Sequence, residues 1–103
     1  GDGAMELFDK LYDEFENAKV RFIGFTTNHT RYDFGIIYTN MFFGKPLVVC
    51  MQTGRSSLLE QKDIEDLDHL QSTFKISTRE QAKDLSDFFL EELAEVPFQS
   101  EYE

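Results

Sequence analysis

The sequence predicts an α+β domain built on an antiparallel sheet of about four strands. Between Lys19 and Thr53, β-branched and aromatic residues are broken by turn formers, while the flanking segments carry apolar residues at helical spacing. The chain has 103 residues, the length of one domain with a single core. With 41% hydrophobic and 15% aromatic residues, it has enough apolar material to fold. We therefore expect one domain over 1–103, with 1–4 a remnant or unstructured start and 98–103 a frayed tail.

The elements follow in order. Leu7, Phe8, Leu11, Tyr12 and Phe15 recur at i, i+1, i+4, i+5 and i+8, with Glu6, Asp9, Lys10, Asp13 and Glu14 opposite, and this spacing predicts an N-terminal amphipathic helix. Lys19 to Thr26 reads as a first strand, and Thr27 to Thr30 as its turn. Arg31 to Thr39 is a second strand, with Tyr32, Phe34, Ile36 and Tyr38 in alternation. Asn40 to Gly44 forms a loop. Pro46 opens a third strand, Leu47 to Met51, which is apolar on both sides and should be central. A fourth strand is expected around Ser56 to Glu60, completing a meander in sequence order. Asp63 can cap a short helix carrying Ile64, Leu67 and Leu70. Thr73 to Ile76 reads as a short strand or an extended link. Ser77 and Glu80 have capping-box spacing before a last helix with Ala82, Leu85, Phe89, Leu93 and Val96, stopped by Pro97.

The turns suggest a register: Thr26 opposite Arg31, Phe22 opposite Gly35, Ile37 opposite Leu47, and Arg31 opposite Thr53. A phenyl ring can lie over the bare backbone of a glycine. This pairing collects Ile23, Phe25, Tyr32, Phe34, Ile36, Tyr38, Val48 and Cys50 on one face. Val20, Phe22, Ile37, Leu47, Val49 and Met51 fall on the other. The expected N-terminal helix and two C-terminal helices can cover one of these faces. A homodimer is the simplest cover for the second, and another protein is the other candidate.

Charge and cysteine content narrow the function classes. Twenty acidic against ten basic residues leave a formal charge of −10, which repels nucleic-acid phosphates and anionic membranes. Plain solubility is the simpler explanation of the acidity. One cysteine allows no internal disulfide and fits a reducing, cytoplasmic setting. No apolar run reaches the roughly 20 residues of a membrane span.

No segment carries a catalytic or metal signature that outweighs its structural explanation, so neither catalytic residues, metal nor cofactor is assigned. Cys50 lies between Val49 and Met51, without the His or helix terminus that activates a thiol. A triad of Cys50, His29 and Asp33 can be written, but the register sets Cys50 and Asp33 on opposite faces. Asp66 and His69 share a helix face, yet acids in a first turn also complement the helix dipole. Thr53-Gly54-Arg55-Ser56 can present backbone N–H groups to an anion. With His29 and Arg31 nearby it makes a small basic spot, a candidate ligand or anion site. Salt bridges to the surplus carboxylates are the competing explanation. Met41, Phe42 and Phe43 put three large apolar side chains in one connection, a candidate interaction surface. They can equally fold over the sheet edge.

The run Val20 to Phe25, then Arg31 to Thr39, Phe43 to Val49 and Gln52 to Arg55 resembles a domain-of-unknown-function family of Gram-positive bacteria, about 90 residues long. The resemblance covers nearly the whole chain from Met5. It implies a stand-alone cytosolic α+β protein and brings no activity, cofactor or functional residue. The sequence reading is thus a non-enzymatic binding or regulatory protein acting through protein–protein contacts. The alternative is a small-molecule or anion binder, or an enzyme acting on such a ligand, at His29, Arg31 and Arg55.

Overall fold

The computed structural model of the chain describes residues 7–28 and 30–93. Its centre is a meander of β1 (Lys19–Thr26), β2 (Arg31–Tyr38), β3 (Leu47–Cys50) and β4 (Ser56–Leu58), in sequence order and antiparallel throughout. Three helices follow: α1 (Gln61–Ile64), α2 (Leu67–Phe74) and α3 (Arg79–Glu92). The α+β class and the four-stranded meander are as the sequence predicts.

The register follows the turn chemistry. Thr26 pairs with Arg31, Phe22 with Gly35 and Ile37 with Leu47. The Phe22 ring lies over Gly35, so that a Cβ built there would sit 3.4 Å from Phe22 Cε1. One expected pair does not form. The β2–β3 ladder ends at Phe34 and Cys50, and residues 51–53 leave it as a turn, so Arg31 has no strand partner in Thr53. That turn closes through Gly54 N–H donating to the Cys50 carbonyl at 2.7 Å, with Gly54 at φ +77°.

The helices roof one face only. Tyr32, Phe34, Ile36, Tyr38, Val48 and Cys50 meet Leu70 and Phe74 of α2, and Ala82, Leu85 and Phe89 of α3, in one buried cluster. Phe34 and Phe89 stand edge to face at 5.0 Å, and Phe25 stacks on Phe88 at 3.8 Å.

The expected N-terminal helix is absent: residues 7–18 carry no helix and are exposed throughout. Their spacing suits a helix, but one this short needs a surface to pack on, and the three later helices already occupy the roofed face. The single helix expected from Asp63 is two. Asp63 closes a capping box with Glu60 at the start of α1, and Asp66 caps α2 by accepting the His69 N–H at 3.1 Å. Thr73 and Phe74 belong to neither a strand nor an extended link; they finish α2, which ends on Lys75 at φ 58°. The cap of α3 is Thr78 rather than Ser77, its hydroxyl accepting the Gln81 N–H at 3.1 Å. Val96, Pro97 and the tail 98–103 lie outside the described residues, as do 1–6.

Candidate functional site

The second face of the sheet has no cover among the described residues. Strand alternation sets Val20 and Phe22 of β1, Gly35 and Ile37 of β2, Leu47 and Val49 of β3 and Leu58 of β4 side by side. Phe22 is 74% exposed, and Met51, just past β3, is 54% exposed. The charged strand residues on this face are Arg31 and Asp33 at one corner, and they pair with each other at 3.0 Å. Leaving such a surface in water forgoes about 25 cal/mol for each Å². A shallow hollow of about 450 Å³ indents the face between Phe22, Gly24, Asp33 and Met51.

The aromatic connection adds to the exposed apolar surface. Thr39 caps a single 3₁₀ turn, Asn40–Phe42, by accepting the Met41 N–H at 3.0 Å. Phe43 follows at φ 58°, φ values that side chains rarely adopt, and its ring is 93% exposed. Met41 is 46% exposed and Phe42 partly buried. Met41 and Phe43 therefore stand out from the molecule instead of folding over the sheet edge.

Within the basic spot, the Arg31 guanidinium is already engaged. Arg31 donates Nε and Nη2 to the two carboxylate oxygens of Asp33, at 3.0 and 3.2 Å. Gln52 completes the cluster: its Nε2 donates to Asp33 Oδ2 at 2.6 Å, and its Oε1 accepts the Asp33 N–H at 3.0 Å. Arg31 first, and Gln52 second, hold the Asp33 carboxyl below its usual range. Arg31 and Thr53 share the rim of a hollow of about 370 Å³ with Tyr32, Cys50, Gln52 and Lys75, whereas Gly54, Arg55 and Ser56 do not line it. Burial pushes the Tyr32 phenol up. His29 lies outside the described residues.

Cys50 is buried, its Sγ 3.7 Å from Gln52 Oε1. Asp66 spends a carboxylate oxygen on its helix cap. Among the described residues, no group of three or more His, Cys, Asp and Glu could hold a metal ion. None of the described helices is long and apolar enough to cross a membrane.

Sequence reasoning missed one concavity, of about 440 Å³, between the aromatic connection and the helices. Leu59, Ile64, Phe89, Leu90 and Leu93 line it, and the ion pair of Lys45 with Glu60, 2.8 Å long, borders it. Three separate stretches of chain build it, so no local motif announces it.

Fold and surface together define a small α+β domain with a meander roofed on one side and apolar on the other. The chain belongs to the SAV0927-like family, whose match spans residues 11–91. That span contains all the strand segments on which the resemblance to a family of small α+β proteins rests. No curated protein matches the chain.

Proposed function

We infer that this chain is a non-enzymatic binding or regulatory protein that acts through protein–protein contacts, as a homodimer or with another protein. The observation carrying this reading is the apolar surface left outside: Val20, Phe22 and Met51 on or beside the open sheet face, and Met41 and Phe43 on the aromatic turn. Large exposed apolar patches mark interaction surfaces, and aromatic residues dominate their energetics. In keeping with the resemblance, the protein would work in the cytosol of a Gram-positive bacterium, where a lone thiol stays reduced. The anion-binding alternative has less support, because Arg31 already spends its guanidinium on Asp33.

Photo-reactive side chains placed at Phe22, Phe43 and, as a control, Lys83 of α3 test the reading in living cells. The expected outcome is protein adducts at positions 22 and 43 and none above background at 83. Adduct yields equal at all three positions would contradict it. So would a small anion that raises the melting temperature of the wild-type chain but not of Arg31→Ala or Arg55→Ala.

A further inference from the structure

Two apolar surfaces of this molecule lack a partner among the described residues, and they are complementary in kind. One is the open sheet face. The other is the segment before β1, in which Leu7 is 88%, Phe8 73%, Leu11 88%, Tyr12 65% and Phe15 99% exposed. Resting on the protein-contact reading above, we propose that residues 7–15 dock on the open sheet face of a second copy of this chain, in a reciprocal exchange of arms.

The base of the arm dictates that the exchange is between molecules. Lys19 pairs with Tyr38 at the end of the β1–β2 ladder. Just before it, Glu16 accepts the Thr39 hydroxyl at 2.7 Å and the Asn40 N–H at 2.9 Å. The chain therefore runs on past the end of the hairpin. To cover its own sheet it would have to reverse close to Glu16, while those two bonds hold the chain at the end of the hairpin.

The area suffices. Phe8, Tyr12 and Phe15 can each bury about 150–250 Å². Two arms then supply roughly 900–1,500 Å² before the sheet surface they cover is counted. A stable interface needs about 1,200–2,000 Å² in total. The hollow beside Phe22, about 450 Å³ in volume, offers a ring a place to seat. The receiving face is free of net charge, since Arg31 and Asp33 neutralise each other. The acids of the arm, Asp9, Asp13 and Glu14, thus meet a face of no net charge rather than an acidic one.

The test uses the full chain and two surface variants, Leu11→Ser/Phe15→Ser in the arm and Phe22→Ser/Met51→Ser on the face. Both should keep the wild-type melting temperature of the dissociated chain, because all four positions are solvent-exposed. Light scattering across a concentration series should give the wild type twice its 12.0 kDa chain mass. Each variant should associate roughly 100-fold more weakly or worse. Mixing the two variants should restore part of the association, since one chain still offers a face and the other an arm.

A wild type that stays monomeric overturns the proposal but leaves the photo-adduct test of partner binding standing. Loss of association in the face variant alone also overturns it, and points to face-to-face or edge-to-edge pairing instead. Partial recovery in the mixture, with both single variants monomeric, is the result that supports arm exchange.

Discussion

The Glu16 carboxylate accepts two hydrogen bonds, from the Thr39 hydroxyl and the Asn40 N–H, and these hold its pKa below the ordinary glutamate range. A group whose folded pKa is depressed adds stability above its unfolded pKa and loses it as pH falls through the folded one. Glu16→Ala should therefore melt below the wild type at neutral pH, and the two curves should converge in the acid range. A gap that persists undiminished at the acid end, in melts recorded across pH, would show that the carboxylate charge is not what holds the arm base. The sequence gives no hint of this tie, since Glu16 and Thr39 are 23 residues apart and neither belongs to a motif. The Phe22–Gly35 pair is the opposite case. A glycine amid alternating apolar residues has few physical roles, and receiving a cross-strand ring is one. Arg31 is intermediate. Its charge is plain in the sequence, but its engagement depends on Asp33 two residues along and on Gln52 across the sheet.

Among the elements, the strands are the most legible because period-two alternation and the turn residues agree with each other. The C-terminal helix is nearly as clear. Ala82, Leu85 and Phe89 mark its stripe, although the cap shifts by one because Thr78, not Ser77, has its hydroxyl over the first turn. This stripe clamps the roofed face, and Phe89 is 0% exposed between Phe34 and Phe74. Phe89→Ala should cost about 3–5 kcal/mol in denaturant unfolding, whereas a loss under about 1 kcal/mol would mean the helix packs differently. The first segment misleads for a physical reason. Helical spacing says which side chains could share a face, but a short helix forms only where something lies beneath it. Residues 7–18 are exposed throughout and pack their apolar side chains on none of the described elements. The boundary between α1 and α2 escapes the sequence too, because Asp63 and Asp66 are both good caps and periodicity alone does not choose between one helix and two.

For the whole molecule, the arrangement reduces to an imbalance of layers. The helices close one side of the sheet and leave Val20, Phe22 and Met51 facing water, with Ile37, Leu47 and Val49 partly exposed beside them. An arm bearing Leu7, Phe8, Leu11, Tyr12 and Phe15 projects from the same chain. The excess of acid favours solubility and leaves the open face uncharged on balance, since Arg31 and Asp33 cancel there. The most direct measurement mixes isotope-labelled and unlabelled chains and records only contacts between them by filtered nuclear Overhauser spectroscopy. Cross-peaks from the rings of Phe8, Tyr12 and Phe15 in one chain to the methyls of Val20, Leu47, Val49 and Met51 in the other are the predicted result. Their absence at concentrations where the chains are associated, or contacts confined to the β1 edges, would contradict it.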